Sequence, residues 1–254
     1  MGGGAPCSPD RGGRPRVVVR VIPGNKKLTG AIPGPDVWSA PCTYEAENRA
    51  AAPGGRIEEA MRGIRPRTGA HVLDTGCGTG FHLPRFAVEA RWVTGVEPQR
   101  LAEAARARVR TLPDATVHTG VAQRLPAADA SVDVTHARWA YFFGPGCEPG
   151  LVEADRVMRR GGAAFVIDNG AARSAFGGWF RRSLPSHGPS AVERFRSGRG
   201  FTRRSVDTGR WFESRADFEA VARIEFPPGP ARGIVDGHRG PEVDHAVNLW
   251  WRGY

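Results

Sequence analysis

Lysine is almost absent from this chain. Only Lys26 and Lys27 are lysines among 36 basic residues, so arginine supplies nearly all of the formal net charge of +10. Together with 34 glycines and 21 prolines, this composition is typical of a GC-rich genome. The arginines are scattered in short clusters along the sequence, which favours ordinary solvated faces over a dedicated nucleic-acid surface.

The chain also lacks long apolar runs and closely spaced cysteines. No stretch approaches the roughly 20 consecutive apolar residues that span a bilayer. The four cysteines, Cys7, Cys42, Cys77 and Cys147, are far apart and have no histidine partner at zinc spacing. We therefore expect a cytoplasmic protein with reduced cysteines, no membrane span, no disulfide framework and no metal site.

Glycine and proline dominate residues 1–36, which predicts a disordered or loosely ordered N-terminal arm. A helical segment with Thr43 as its expected N-cap follows. From Ala70 to Asp168, strand-like and helical segments alternate, and they are followed by an N-capped helix in "SRADFEAVARI" and a last aromatic strand in "EVDHAVNLWWR". This alternation predicts an α/β fold in which a parallel sheet is covered by helices on both faces.

The stretch "HVLDTGCGTGFH" carries the strongest functional signal. Asp74 ends a predicted strand, and three glycines follow at alternate positions: Gly76, Gly78 and Gly80. Phe81 and His82 stand where a phosphate-binding P-loop needs Lys and Ser or Thr. The glycine spacing also departs from the G-x-G-x-x-G fingerprint of dinucleotide-binding folds.

Glu97 ends the second predicted strand, 23 residues after Asp74. An acid at that position can accept hydrogen bonds from both hydroxyls of a ribose. Asp74 can face an ammonium or sulfonium group, whereas it would repel a pyrophosphate. One carboxylate for an amino-acid portion and one for a ribose together indicate S-adenosylmethionine.

From about Arg56 to Asp168 the sequence resembles the class I S-adenosylmethionine-dependent methyltransferases, in particular the small-molecule type 11/25 branch. "VLDTGCGTG" matches the D/E-x-G-x-G-x-G motif of that family, and "GVEP" matches its ribose-binding acid. "GVAQRLPAADASVDVTHA" and "EADRVMRRGG" are similar to two later motifs in the same order. The resemblance implies a Rossmann-like fold with a seven-stranded, mostly parallel sheet whose last strand is antiparallel. It also implies a methyltransferase domain over 37–254, with a helical lid over 37–66 and an acceptor-side insertion over 170–205.

The resemblance implies S-adenosylmethionine as the cofactor, with cofactor contacts from several motifs. The matching residues are Asp74, Gly76, Cys77, Gly78, Gly80, Glu97, Pro98, Val121, Ala122 and His136. Val121 stands where many relatives have an aspartate that binds the adenine amino group, so backbone groups of Val121 and Ala122 would replace that bond. Cys77 fills a variable position of the glycine motif.

Acceptor-side candidates cluster at the end of the fourth predicted strand. His136 is our candidate general base, because it ends that strand beside the expected methyl site. Substrate contacts are expected from Tyr44, Trp139, Tyr141 and Phe142, since aromatic side chains suit a planar or apolar acceptor.

These observations predict an enzyme that transfers a methyl group to oxygen, nitrogen or carbon of a small organic molecule. The composition is consistent with specialised, natural-product metabolism. Two alternatives stay open, namely a methyltransferase acting on RNA or a peptide, and a non-catalytic cofactor-binding subunit. As the partner of the protein, the sequence favours a small-molecule substrate over nucleic acid.

Overall fold

The computed structural model describes residues 40–51, 54–98, 101–171, 173–183 and 188–254. The predicted loose arm over 1–36 lies outside these residues. Within them, no helix is long and apolar enough to cross a membrane.

Strands and helices alternate over most of the described chain. The strands are β1 (His71–Thr75), β2 (Trp92–Glu97), β3 (Ala115–Thr119), β4 (Val132–Arg138), β5 (Met158–Asn169), β6 (Thr202–Asp207), β7 (Arg210–Trp211), β8 (Glu242–Val243) and β9 (Ala246–Gly253). The helices are α1 (Pro41–Ala50), α2 (Arg56–Ile64), α3 (Leu83–Ala87), α4 (Ala102–Val109), α5 (Glu148–Val157), α6 (Ala175–Ser183), α7 (Pro189–Ser197), α8 (Arg215–Glu225) and α9 (Pro228–Gly237).

Seven of the strands form one sheet in the order β3-β2-β1-β4-β5-β9-β6. β1 to β5 pair in parallel, whereas β9 runs antiparallel between β5 and β6. The predicted seven-stranded, mostly parallel sheet with an antiparallel last strand is therefore confirmed. Asp74 lies opposite Gly95 of β2 and His136 of β4, so the carboxyl ends of these three strands meet at one edge.

Buried side chains cover both faces of the sheet. On one face, Met61 of α2 and Phe86 of α3 belong to the same buried cluster as Phe165 of β5. On the other, Leu151 of α5 packs with Trp250 of β9. Burial on both faces explains why β4 contains only buried residues and shows no alternation of polar and apolar side chains.

Two motifs of the family resemblance hold the sheet together. Asp133 accepts a hydrogen bond from the backbone N–H of His71 at 2.8 Å, which ties β4 to the start of β1. In "EADRVMRRGG", Arg156 donates to Glu153 at 2.8 Å and to the carbonyl of Leu125 at 3.1 Å. These contacts fasten the loop before β4 to α5.

Several details differ from the sequence predictions. α1 begins at Pro41, with Ala40 rather than Thr43 at its N-cap, because a proline in the first helical turn lacks an N–H group that would need a partner. Ser214 caps α8 as predicted and accepts from the backbone N–H of Asp217 at 3.1 Å. The sequence does not predict α9, whose helix-breaking "PGPARGIVDG" is stabilised by burial of Ala231 and Ile234.

The cysteines also depart from expectation. Cys42 is disulfide-bonded, which contradicts the prediction that the cysteines stay reduced. Cys77 and Cys147 are free and buried. No group of His, Cys, Asp and Glu suited to a metal ion occurs in the described ranges.

Candidate cofactor and acceptor site

The glycine loop after β1 lies very close to Ala140 and Tyr44. Gly76, Gly78 and Gly80 have φ angles of +74°, +57° and +75°, a region that costs other residues about 1–2 kcal/mol. A Cβ atom on Gly76 would lie 2.5 Å from Cβ of Ala140, and one on Gly78 would lie 2.8 Å from Oη of Tyr44. Glycine is therefore required at these positions by both conformation and space.

Glu97 faces this loop from the end of β2. Its Oε2 accepts a hydrogen bond from the backbone N–H of Gly78 at 2.9 Å. Among the described residues, its second oxygen, Oε1, accepts none. Burial raises the pKa of Glu97 to about 8, Asp74 adds to the rise, and the bond from Gly78 opposes it. A buried acid with one unused oxygen fits the hydroxyls of a ribose.

Asp74 and His136 form a buried pair. Nδ1 of His136 lies 2.7 Å from Oδ1 of Asp74, and both side chains are almost fully buried. The ring of His136 packs edge-on against Phe86, with centroids 5.0 Å apart, and lies 5.9 Å from the ring of His82. Burial and the nearby Arg138 lower the pKa of His82 well below its usual value. His82 is therefore neutral at physiological pH, and Asp74 fixes the orientation of the His136 ring.

The turn after β3 lies beside the end of β2. The backbone N–H of Gly120 donates to the carbonyl of Glu97 at 3.2 Å. Val121 follows and is half-buried, and Ala122 is buried with Ala137 of β4. The two residues predicted to flank the adenine therefore lie next to the ribose-binding candidate.

Pro98 and Cys77 complete the predicted cofactor contacts. Pro98 is half-buried directly after Glu97. Sγ of Cys77 lies 2.9 Å from the point where Gly95 would carry a Cβ atom, so the thiol fills the space above this glycine. Burial raises the pKa of Cys77 well above its usual value. The thiol is therefore protonated and unreactive.

α1 lies over the glycine loop. The ring and hydroxyl of Tyr44 border Gly78. Next to it, Glu45 accepts a hydrogen bond from the hydroxyl of Thr79 and another from Arg108 at 2.7 Å. These contacts join α1 to the loop and to α4.

The second half of α1 contacts the end of β4 and the strand β7. Glu47 forms an ion pair with Arg210 at 2.6 Å, and both side chains are almost completely buried. The carbonyl of Ala51 accepts from Arg138 at 3.3 Å. α1 therefore spans the edge of the sheet from the cofactor candidates to the acceptor candidates.

The aromatic candidates divide into two groups. The ring of Trp139 lies close to both Arg138 and Arg210, with centroid distances of 4.5 Å and 5.2 Å to the two guanidinium carbons. Tyr141 and Phe142 pack against each other at 5.1 Å instead, and Tyr141 borders Gly150 of α5. Trp139 thus packs beside Arg138, Arg210 and His245, while Tyr141 and Phe142 pack towards α5.

Four arginines are buried, although the sequence predicts solvated faces for the arginines. Arg67, Arg138, Arg196 and Arg210 are only 2%, 8%, 3% and 1% exposed. The interpretation of the arginines as solvated faces is wrong for these four. The position of Arg138 at the carboxyl end of the fully buried strand β4 could have revealed it, whereas no local pattern distinguishes Arg210.

The strand order, the glycine loop after β1 and the acid ending β2 define a Rossmann-like class I methyltransferase fold. A family model described as "Methyltransferase domain" matches residues 72–162. The chain is 27% identical to malonyl-[acyl-carrier protein] O-methyltransferase of Dechloromonas aromatica over 197 residues, which are 72% of this chain and 70% of that one.

Solved structures show the same fold. YcgJ protein from Bacillus subtilis matches with a TM-score of 0.57 at 16% identity, over 78% of this chain and 98% of that one. Geranyl diphosphate methyltransferase matches with a TM-score of 0.52 at 14% identity, over 82% of this chain and 86% of that one. The protein therefore carries a methyltransferase domain on a class I fold, and S-adenosylmethionine is its cofactor.

Proposed function

We propose that this enzyme transfers a methyl group from S-adenosylmethionine to a small organic molecule, at an oxygen, nitrogen or carbon atom. The observation that carries the proposal is the position of α1, which covers the edge of the sheet where the site residues meet. Tyr44 and Glu45 join α1 to the glycine loop, and Glu47 joins it to Arg210 through a buried ion pair. A site covered in this way favours an acceptor that is enclosed by the protein over a folded RNA or a protein chain.

The residues of the site fit the cofactor. The glycine loop would receive the amino-acid portion, with Asp74 facing its ammonium group. Glu97 would accept from the ribose hydroxyls, and Val121 and Ala122 would flank the adenine. Bound there, the cofactor supplies an activated methyl group on a positively charged sulfur.

The chain's own contribution is mainly alignment of the acceptor and exclusion of water. We propose that α1 acts as the lid within 37–66. We also propose that 170–205 contributes to the acceptor side, since Phe176 of α6 lies against Arg210 at 3.9 Å. For an acceptor that must lose a proton, His136 is the candidate general base, oriented by Asp74 through Nδ1.

The relatives support oxygen as the acceptor atom and biosynthesis as the setting. The Dechloromonas protein is named malonyl-[acyl-carrier protein] O-methyltransferase, and a structural neighbour is named for a small-molecule substrate, geranyl diphosphate. A natural-product setting stays a proposal that rests on the composition of the chain.

The test is methyl transfer from S-adenosyl-[methyl-³H]methionine into a cell extract of the encoding organism, separated into small-molecule, RNA and protein fractions. We expect label in the small-molecule fraction, and loss of that label with Glu97→Ala. Label in the RNA or protein fraction would support the macromolecular alternatives instead. Cofactor binding without transfer to any fraction would support a non-catalytic subunit.

A further inference from the structure

The glycine loop is tied to α1 by the side chain of Thr79. This residue lies between Gly78 and Gly80 and is completely buried. Its hydroxyl donates a hydrogen bond to Oε1 of Glu45, which lies 34 positions earlier in the chain. The glycines on either side have no side chain with which to make such a contact, so this bond fastens a conformationally permissive segment to α1.

The carboxylate of Glu45 uses both of its oxygens within the protein. Oε1 accepts from Thr79, and Oε2 accepts from Nη2 of Arg108 in α4 at 2.7 Å. The side chains of Glu45 and Arg108 are only 10% and 13% exposed. A buried carboxylate needs a cation and further hydrogen bonds to offset the loss of water, and Glu45 has both. Its charge is therefore compensated by the protein, which suits a residue that holds the loop and does not itself bind the cofactor.

Arg108 also contacts the end of the same loop. Its guanidinium carbon lies 5.5 Å from the ring centroid of Phe81, the residue after Gly80. The guanidinium carbon of Arg85 lies 4.7 Å from the same ring. A cation at these distances is attracted to the face of an aromatic ring. Through Glu45 and Phe81, Arg108 therefore connects α4 with both α1 and the glycine loop.

The residue before Thr79 is held by a different element. The backbone N–H of Gly78 donates to Oε2 of Glu97, at the end of β2, at 2.9 Å. Two consecutive residues of the loop are thus fixed by two carboxylates, one from β2 and one from α1. A glycine-rich loop that is not fixed in this way has to be ordered when its ligand binds, and the lost conformational entropy weakens binding.

We propose that Glu45 is a positioning residue for cofactor binding. Through the hydroxyl of Thr79 it holds the glycine loop in the conformation that receives the amino-acid portion of the cofactor, and Arg108 holds Glu45 in turn. This role goes beyond the proposed function, because it concerns the cofactor half of the site and is the same for every methyl acceptor.

Calorimetric titration with S-adenosylhomocysteine tests the role of the hydroxyl, at a temperature where each variant is folded. Thr79→Val nearly keeps the shape of the side chain and removes the hydroxyl. It should raise Kd by about tenfold, the equivalent of one hydrogen bond to a charged group. Thr79→Ser keeps a hydroxyl and should restore Kd to within about threefold of the wild type. Equal Kd values for Thr79→Val and the wild type would overturn the proposal.

A mutant cycle tests whether Glu45 acts through Thr79. Glu45→Ala and Thr79→Val remove the same hydrogen bond, so the double variant should bind at most about threefold more weakly than Glu45→Ala alone. Losses that multiply, to about 100-fold in the double variant, would contradict action through Thr79.

Arg49→Gln is the matched control on α1. It removes an ion pair of 2.7 Å with Glu213, whose side chains are 41% and 67% exposed. Its Kd should stay within about twofold of the wild type, since an exposed pair contributes little. Urea denaturation of the same variants measures their stability.

If Arg49→Gln weakens binding as much as Thr79→Val does, or if the changes in Kd simply follow the free energy of unfolding, α1 has only a general structural role and the proposal is wrong. These outcomes leave the proposed methyl transfer standing. Absence of binding by the folded wild type would overturn the cofactor site and the proposal together.

Discussion

Replacing Gly76 by alanine tests how closely the glycine loop approaches the end of β4. The added methyl group meets two penalties. The φ angle of +74° costs about 1–2 kcal/mol for alanine. The 2.5 Å approach to Cβ of Ala140 adds about 1–3 kcal/mol, because that atom is attached directly to the backbone and cannot rotate away. We expect Gly76→Ala to lower the free energy of unfolding by about 2–5 kcal/mol.

Gly161→Ala is the matched control. Gly161 has a φ angle of +79°, and nothing lies within 4 Å of the position of its Cβ atom. It should lose only the conformational part, about 1–2 kcal/mol. The double variant Gly76→Ala/Ala140→Gly removes the contact and should recover the steric part.

Urea denaturation of the wild type, of the single variants including Ala140→Gly, and of the double variant measures these differences as a mutant cycle. The cycle isolates the coupling between positions 76 and 140. Equal losses at Gly76 and Gly161, or no recovery in the double variant, would refute the close approach. Reduced binding of S-adenosylhomocysteine by Gly76→Ala at a temperature where it is folded would further link this contact to the cofactor site.

Three further predictions concern buried groups near the site. Burial raises the pKa of Glu97 from 4.5 to about 8, so between these pH values the folded state retains a proton that the unfolded state has lost. The stability of the wild type should therefore fall relative to that of Glu97→Gln as the pH rises through this range. Melting temperatures of the two proteins that change in parallel with pH would contradict the raised pKa. Arg210→Met leaves Glu47 buried without its cation and should lower the free energy of unfolding, measured by urea denaturation, by about 3–5 kcal/mol. Adding Glu47→Leu should recover much of this loss, and no recovery would contradict the pairing. Tyr44→Ala removes the side chain that borders Gly78, so we expect faster release of S-adenosylhomocysteine in stopped-flow measurements, and an unchanged release rate would contradict a lid role for α1.

The sheet was predictable because its signals are local. The short-range patterns are the glycines after β1, the acid that ends β2 and the regular alternation of strands and helices. They are enough to recognise the family resemblance, and the resemblance predicts the strand order. The sequence does not predict α9, because this helix is stabilised by the burial of Ala231 and Ile234 and not by helix propensity.

The acceptor side was only partly predictable because its contacts are distant in sequence. Glu47 pairs with Arg210 across 163 positions, and Arg138 contacts the carbonyl of Ala51 across 87. No local pattern distinguishes the buried Arg210 from a solvated arginine in this arginine-rich chain. The aromatic run after β4 is evident in the sequence, but Trp139 packs beside Arg210 and Tyr141 packs against α5, and this division depends on the positive φ angles of both residues.

The most direct test of the account is calorimetric titration of the wild type, Glu97→Ala and Asp74→Ala with S-adenosylhomocysteine. We predict micromolar binding by the wild type that is lost or strongly weakened in both variants, since Asp74→Ala removes a charged contact of about 3 kcal/mol and Glu97→Ala removes the acceptor for the ribose hydroxyls. Unchanged affinity in folded variants would contradict the site. No binding by the folded wild type would contradict the cofactor itself.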